Sequence, residues 1–284
     1  MSLFILSAFG DEIDEDLATQ LDVLAANNIH HLELRSAWGL NVLDLDAAQL
    51  ARAKELLDAR GFKISAVGSP IGKSLIDQPR EYEMERMEHA IRAAHTLGTS
   101  LIRVFSFYKP EKANSLGRSW DYYREEIMER MGALTARAAQ AGLTLLHENE
   151  SDIYGDVPER CLDIHRTVNS PALRNAFDPA NYVLCGVRPM LDAWPLLGEL
   201  TAHVHIKDAT FAERVVRPAG EGDGDVPGLL AALAERGYRG FLTLEPHLLF
   251  AGQYGGLSGP DGMQVAANAL RKVIAQLPVK VDVM

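Results

Sequence analysis

The feature that most constrains this chain is a regular alternation of short apolar segments with helical patterns. Eight segments rich in Leu, Ile, Val and Phe are bounded by Gly, Pro or acidic residues, as β-strands are. They lie at 3–7, 30–35, 62–68, 100–107, 143–148, 173–178, 202–208 and 240–245. A helical pattern follows each segment, as in 14–28, where Leu17, Leu21 and Leu24 recur at helical spacing.

Strict alternation of strand and helix predicts a parallel sheet with helical crossovers. With eight repeats in 284 residues, closure into a (β/α)8 TIM barrel is more economical than the alternative, an open doubly wound sheet. No linker, low-complexity tract or shift in composition divides the chain. We therefore predict an α/β protein with a single barrel domain spanning residues 1–284.

Charge and composition argue against several classes of protein. A formal net charge of −11 disfavours a polyanionic partner, because proteins that bind nucleic acid normally present a basic face. No apolar run approaches the roughly 18 residues of a membrane span, and the start of the chain lacks the cationic region of a signal peptide. Cys161 and Cys185 lie in no metal-binding motif and are interpreted as free thiols in a reducing compartment. We expect a cytoplasmic protein without a nucleic-acid or membrane partner.

Acidic or imidazole side chains stand at the ends of four successive predicted strands. They are Glu148, Asp178, His205 and Glu245. In a TIM barrel the active site lies at the C-terminal ends of the strands, so these side chains are expected to converge. Each has an ordinary explanation when taken alone, such as an ion pair, a turn or a helix cap. Together, however, three carboxylates would repel one another strongly without a cation, and the pattern predicts a divalent metal site.

The predicted ligand set also limits the choice of metal ion. Oxygen-rich sites with one imidazole suit hard or borderline divalent ions, whereas a structural zinc site would more often use cysteine and close at four ligands. Our prediction is Mn²⁺, with Mg²⁺, Co²⁺, Fe²⁺ and Zn²⁺ as alternatives.

Several segments resemble those of a known superfamily. LLHENE, FDPANY, HVHIKD, GEGDG and FLTLEPH are similar to motifs of the sugar phosphate isomerase/epimerase superfamily of xylose isomerase-like TIM barrels. The resemblance includes FGDEI at the first strand and HLELR at the second, and so covers nearly the whole chain. The superfamily contains ketose 3-epimerases, hydroxypyruvate isomerase, inosose and dehydroshikimate dehydratases, and the endonuclease IV nucleases. The resemblance implies the same four metal ligands, with His205 rather than His203 from the seventh strand.

Two departures from the superfamily pattern bear on function. Asn181 stands three residues after the strand-six aspartate, where many epimerases and the nucleases have a histidine. The third and fourth strands, in VGSPIGK and VFSFYK, offer no histidine for the further metals of a nuclease. Together with the negative net charge, these departures argue against a role in DNA repair.

The chemistry implied by the resemblance is proton transfer next to a carbonyl group. We predict a metal-dependent isomerase or epimerase that acts on a ketose, keto-sugar or related polyhydroxy ketone through an enediolate, with Glu148 and Glu245 as acid and base. The alternative is a metal-dependent dehydratase of the inosose or dehydroshikimate type. A protein that only holds a ligand is a third interpretation, against which paired glutamates around a metal argue. The sequence leaves the substrate, the reaction and the oligomeric state open, and a homo-oligomer is compatible with it.

Further residues are predicted to act on or bind the substrate. Lys207 shares the inward face of its strand with His205, and we predict that it contacts substrate or an enolate oxygen. The alternative for Lys207 is a salt bridge with Glu33 or Glu150. The predicted substrate-binding residues are Asn181, Arg217, Glu33, Arg35 and His247. The loop GEGDGD, 220–225, carries three carboxylates that would repel a phosphate group, so we expect a small-molecule substrate without phosphate.

Overall fold

The computed structural model describes residues 2–110, 117–247 and 258–284, and in these ranges eight parallel strands close into one barrel. The strands are β1 Leu3–Ala8, β2 His31–Leu34, β3 Lys63–Val67, β4 Leu101–Val104, β5 Thr144–Glu148, β6 Leu173–Phe177, β7 Thr201–Ile206 and β8 Arg239–Leu244. Each strand pairs with the next along the chain, and β8 pairs with β1 to complete the ring. The predicted (β/α)8 barrel is therefore confirmed.

Helices cover the outside of the barrel, and four of those in the described ranges begin after an aspartate whose side chain caps the helix. They are α1 Leu17–Ala26, α2 Ala47–Ala59, α3 Arg80–Leu97, α4 Trp120–Gln140, α5 Pro158–Val168, α6 Pro179–Leu184, α7 Trp194–Leu197, α8 Val226–Glu235 and α9 Gly259–Ala275. Asp46 and Gln49, for example, form a reciprocal capping box at the start of α2. The six-residue helix α6 was not predicted, and it directly follows β6. None of the helices in the described ranges is long and apolar enough to cross a membrane.

The interior of the barrel contains several contacts between polar side chains. Glu33 of β2 lies 2.8 Å from Nε2 of His203 in β7, and that nitrogen lies 3.0 Å from Oγ1 of Thr243 in β8. Because β2 and β7 are separated by two strands around the ring, this contact crosses the lumen. Ser7 and Ser65 make a second internal contact at 2.7 Å. The apolar side chains of the strands alternate with these groups and join the core that packs against the helices.

A short strand near the end of the chain, Asp282–Val283, adds to the barrel and was not predicted. Among the described residues, β2 pairs with β1 through Ser7 and Ala8, at the far end of β1. Asp282–Val283 pairs in parallel with Leu3 and Phe4 at the other end. Two exposed residues carry no hydrophobic alternation, so the sequence gives no sign of this strand.

Buried His165 makes the stability of the fold depend on pH. Its side chain lies in α5 and is 7% exposed, and burial, assisted by the charge of Arg174, lowers the pKa of the imidazole to about 4. In the unfolded chain the group has its usual pKa of about 6.5, so the unfolded state takes up the proton first as the pH falls. The stabilisation is therefore complete above about pH 6.5 and is lost between about pH 6.5 and pH 4.

We expect the wild-type protein to lose about 3 kcal/mol more unfolding free energy than His165→Gln between pH 7 and pH 4. Urea unfolding at a series of pH values measures this difference directly. His95→Gln is the matched control, because His95 is exposed on α3 and should leave the pH profile unchanged. Parallel pH profiles for the wild type and His165→Gln would contradict the prediction.

Candidate metal centre

Four side chains from neighbouring strands converge at the C-terminal end of the barrel. Glu148 ends β5, Asp178 follows β6, His205 lies near the end of β7 and Glu245 follows β8. One oxygen or nitrogen atom from each lies within 4.8 Å of those from the other three, and all four residues are buried. The structure therefore brings together the four residues that the predicted strand ends indicated, and we refer to them as the carboxylate–histidine cluster.

Asp178 is positioned by the start of helix α6. Its Oδ1 accepts a hydrogen bond from the backbone N–H of Asn181 at 2.9 Å, and Pro179 occupies the first helical position. The side chain of Asn149 donates to the backbone carbonyl of Asp178 at 2.9 Å and accepts from its N–H at 3.0 Å. With Oδ1 engaged as the helix cap, Oδ2 is the oxygen that lies nearest to the rest of the cluster, 4.0 Å from Nδ1 of His205.

Glu148 is held on two sides by donors from other elements. Its Oε2 lies 3.3 Å from Nη1 of Arg103, a buried residue of β4. Its Oε1 accepts a hydrogen bond from Nδ2 of Asn181 at 3.2 Å and lies 3.0 Å from Nδ1 of His205. Burial alone would raise the pKa of Glu148, but His205 and Arg103 outweigh this effect and lower the pKa to about 2.

Glu245 and Asp178 share one ammonium group. Nζ of Lys207 lies 2.8 Å from Oε2 of Glu245 and 3.0 Å from Oδ2 of Asp178, and Lys207 is 5% exposed. The second oxygen of Glu245, Oε1, lies 3.0 Å from both Nη1 of Arg35 and Nε2 of His247. Burial would raise the pKa of Glu245, but Lys207 and His247 lower it well below the usual value. Burial would likewise lower the pKa of Lys207, but the two carboxylates raise it, so the ammonium group stays charged.

His205 is oriented by a carboxylate on the inner side of the barrel. Its Nε2 lies 3.3 Å from Oε2 of Glu33, which also lies 2.8 Å from Nε2 of His203, and all three residues are fully buried. Its Nδ1 faces the opposite way, 3.0–4.0 Å from a carboxylate oxygen of each other cluster member. Burial would lower the pKa of His205, but Glu148 and Glu33 raise it well above its usual value.

The polar atoms at the centre of the cluster fit a divalent cation. Oδ2 of Asp178 and Nδ1 of His205 are both buried, and neither has a hydrogen-bond partner among the described residues. A charged group lies 3.0 Å from each of these two atoms, but it is poorly aligned for a hydrogen bond. Burial, with the charges of Glu148 and Glu245, raises the pKa of Asp178 to about 6 against the effect of Lys207. A divalent ion would relieve this repulsion, and three carboxylates with one imidazole are a donor set for Mn²⁺, Mg²⁺ or Zn²⁺.

Four of the five predicted substrate-binding residues contact the cluster, and Arg217 lies apart from it. Arg35 and His247 contact one glutamate of the cluster, and Asn181 contacts the other. Arg217 lies in a two-residue strand, Val216–Arg217, where its side chain is 40% exposed and its guanidinium pairs with Glu213. The predicted residues near the strand ends therefore lie at the cluster, whereas Arg217 in the long loop after β7 does not.

Glu33 and Lys207 have partners other than those considered from the sequence. Glu33, predicted to bind substrate, is fully buried and contacts two imidazoles. Lys207 pairs with two carboxylates of the cluster, whereas Glu150 pairs with Lys73 at 2.9 Å. The alternative of a salt bridge from Lys207 to Glu33 or Glu150 is therefore wrong, because Glu33 is paired with two imidazoles and Glu150 with Lys73.

Several residues that surround the cluster were not predicted from the sequence to have a role. Two of them carry a signal in the sequence that could have indicated their role. Arg103 is an arginine within an apolar strand, and Asn149 directly follows a predicted metal ligand. Asp11 and Glu12, within FGDEI, accept hydrogen bonds from Arg35 at 2.7 and 2.9 Å. These residues neutralise or orient the groups nearest the cluster, and their pairing depends on contacts between distant strands.

A family model described as xylose isomerase-like TIM barrel matches residues 21–273 of the chain. The chain belongs to this family, as the superfamily resemblance of its motifs predicted. No sequence among the curated proteins matches the chain significantly.

Solved structures of this class are similar over almost the whole chain. The probable 3-DHS dehydratase AsbF of Bacillus anthracis, involved in petrobactin synthesis, is 17% identical, with 95% of this chain and 99% of that chain covered and a TM-score of 0.72. A D-tagatose 3-epimerase-like protein is 21% identical, with 96% and 98% covered and a TM-score of 0.70. The IolI protein with a bound zinc atom is 16% identical, with 99% and 100% covered and a TM-score of 0.74. At these identities the likeness is one of fold.

Proposed function

We propose that this protein is a metal-dependent isomerase or epimerase of a ketose, a keto-sugar or a related polyhydroxy ketone. The observation that carries the proposal is the convergence of Glu148, Asp178, His205 and Glu245, with two of their buried atoms lacking a hydrogen-bond partner within the described part of the chain. We propose all four as metal ligands, with Mn²⁺ preferred and Mg²⁺, Co²⁺, Fe²⁺ and Zn²⁺ as alternatives. The family membership, the epimerase-like neighbour and the zinc-binding neighbour support this proposal.

The two glutamates of the cluster are proposed as the acid and base. Glu148 is held by Arg103 of β4 and Glu245 by Arg35 just beyond β2, and the lowered pKa of each carboxyl group keeps it ionised at neutral pH. A divalent ion held by the cluster would act as a Lewis acid on a substrate carbonyl and acidify the adjacent C–H. In the proposed reaction one glutamate removes this proton. Return of a proton to the other face of the same carbon gives epimerisation, and return to the neighbouring carbon gives isomerisation.

Other residues near the cluster are proposed to bind the substrate. The buried ammonium group of Lys207 is held between Asp178 and Glu245 and remains charged, which suits it to stabilise negative charge on a substrate oxygen. Asn181 offers an amide that donates and accepts hydrogen bonds without titrating, and we propose that it touches substrate but carries no proton. Arg35, His247 and Arg217 were also predicted to contact the substrate, and we keep these three predictions.

The glycine-rich loop after β7 binds a carboxylate of its own chain. Asp208 accepts hydrogen bonds from the backbone N–H groups of Ala209, Gly220, Gly222 and Gly224 at 2.8–3.1 Å. A Cβ at Gly222 would lie 2.4 Å from Oδ1 of Asp208, so this close approach requires glycine. Backbone amides arranged in this way are what a phosphate group would need, and here Asp208 already uses them. This supports a substrate without a phosphate group.

A dehydratase of the inosose or dehydroshikimate type is the second candidate. Loss of a hydroxyl group β to the carbonyl follows from the same proton removal, because the glutamate that takes the proton can return it to the departing oxygen, which leaves as water. The likeness in fold to AsbF favours keeping this alternative. Its product is conjugated and absorbs in the ultraviolet, whereas the product of an isomerase or epimerase does not.

A substrate panel with metal reconstitution tests the proposed function. Purified protein is stripped with a chelator, reloaded with Mn²⁺ or one of the alternative ions, and assayed on free ketoses, on matched sugar phosphates and on cyclitol ketones. We expect turnover of a free sugar that disappears with the chelator and returns with the ion. Preference for the phosphorylated sugar would contradict the substrate class, metal-independent turnover would contradict the metal site, and a new ultraviolet band would favour the dehydratase.

A further inference from the structure

A line of buried polar contacts crosses the barrel and ends at the cluster. It begins at Thr243 of β8, whose Oγ1 lies 3.0 Å from Nε2 of His203. The same nitrogen lies 2.8 Å from Oε2 of Glu33, and that oxygen lies 3.3 Å from Nε2 of His205. All four side chains are fully buried, with no exposed surface. A carboxylate buried so deeply in a barrel lumen is costly unless it is paired, and the pairing here involves two imidazoles of one strand.

We infer that Glu33 is a positioning residue that determines which ring nitrogen of His205 is free to bind a metal. An ionised carboxylate can only accept hydrogen bonds, so the imidazole nitrogen next to it must carry a proton. Nε2 of His205 is therefore the protonated nitrogen, and the lone pair of the metal-binding ring lies on Nδ1. Nδ1 is the atom that faces Glu148, Asp178 and Glu245. The inference rests on the proposed metal site and assigns the residue that supports one of its ligands.

His203 holds Glu33 in the orientation that this role needs. His203 and His205 are two residues apart on β7, so both rings point into the lumen and both Nε2 atoms reach the same oxygen of Glu33. Oε2 of Glu33 faces both rings, whereas its Oε1 has no hydrogen-bond partner among the described residues, so the two imidazoles are what pairs this buried carboxylate. A neutral amide at position 33 keeps an oxygen that can accept from both rings, but it lacks the negative charge that favours a proton on Nε2 of His205.

Glu33→Gln tests the inference because it preserves size and removes the charge. We expect the affinity for Mn²⁺, measured by titration calorimetry, to fall about 10- to 100-fold, as when partners of metal-bound histidines are replaced in other sites. NMR spectra of the ring nitrogens in the Mg²⁺-loaded wild type should show the proton of His205 on Nε2. Glu83→Gln is the matched control, because Glu83 of α3 is also buried but accepts hydrogen bonds from Gly72 and Ser74, and the metal affinity of this variant should equal that of the wild type.

The outcomes separate this inference from the proposed function. A wild type that binds no divalent ion would overturn both. A wild type that binds Mn²⁺ with an unchanged affinity in Glu33→Gln would overturn the role of Glu33 alone. If Glu33→Gln does not fold, the spectrum of the wild type decides, because a proton on Nδ1 of His205 in the Mg²⁺-loaded protein would overturn the inference.

Discussion

Replacing Glu245 with glutamine should reduce the incorporation of solvent deuterium into product by about 10²–10⁴-fold, the usual contribution of a general base. Glutamine keeps the shape of the side chain and one oxygen that can bind a metal, but it cannot accept a proton from carbon. The contacts of Glu245 with Lys207, Arg35 and His247 show that this carboxylate is held ionised. Loss of charge also weakens the metal site, so the comparison is made at saturating Mn²⁺, after the metal affinity of each variant has been measured.

The measurement follows deuterium at each carbon of the product by NMR or mass spectrometry in D₂O. Glu148→Gln should also abolish turnover, while proton exchange at one face of the substrate persists if Glu148 and Glu245 act on opposite faces. Glu150→Gln is the control, because Glu150 lies two residues from Glu148 but pairs with Lys73 and contacts no member of the cluster in the described ranges. Product that forms without any deuterium would indicate an internal hydride shift and reject both glutamates as acid and base, while leaving the metal site intact.

Lys207→Met should destabilise the metal-free protein by about 3–5 kcal/mol, because it removes the cation shared by two buried carboxylates. A divalent ion at the cluster restores positive charge at the same point. An ion at 100 times its dissociation constant adds about 2.7 kcal/mol to the stability of any protein that binds it only when folded. Because the ion replaces a missing charge in the variant, we expect Mn²⁺ to stabilise Lys207→Met more than it stabilises the wild type.

Chemical unfolding of the wild type and of Lys207→Met, each with chelator and with Mn²⁺, gives the four free energies of unfolding that are compared. Lys54→Met provides the control, since Lys54 pairs with Asp58 on the exposed face of α2, and such surface pairs contribute about 0–1 kcal/mol. That variant should show the stability and the metal response of the wild type. An equal gain from Mn²⁺ in Lys207→Met and the wild type would mean that Lys207 does not compensate the carboxylates of the cluster.

The sequence predicted the cluster because its members obey a local rule. Glu148, Asp178 and Glu245 each close an apolar segment, and in a parallel barrel every such end lies at the same rim. His205 follows from the alternation of side chains along β7. These properties can be read within a few residues, which is why the barrel and the convergence of these side chains were both predictable.

The partners of the cluster follow from no local rule. Arg103 reaches Glu148 from a neighbouring strand, and Glu33 reaches His205 across the lumen, so each contact depends on how distant segments are placed. The contacts of Arg217 could not be predicted either, because it lies in a loop, and its distance from β7 along the chain does not fix where its side chain points. Helix α6 was missed for another reason: six residues starting with Pro179 are too few to show a helical period.

The cations around the cluster have a consequence for the order in which the protein is assembled. Arg103 contacts Glu148, Lys207 contacts Asp178, and both Lys207 and Arg35 contact Glu245. Every cluster carboxylate therefore has a positive partner from the polypeptide itself, and the chain can complete its barrel before any metal arrives. A finger-like zinc domain, by contrast, stays unfolded until it is loaded. An ion that binds the proposed site after folding could be exchanged for another, so metal supply as well as ligand chemistry would decide which ion the site holds.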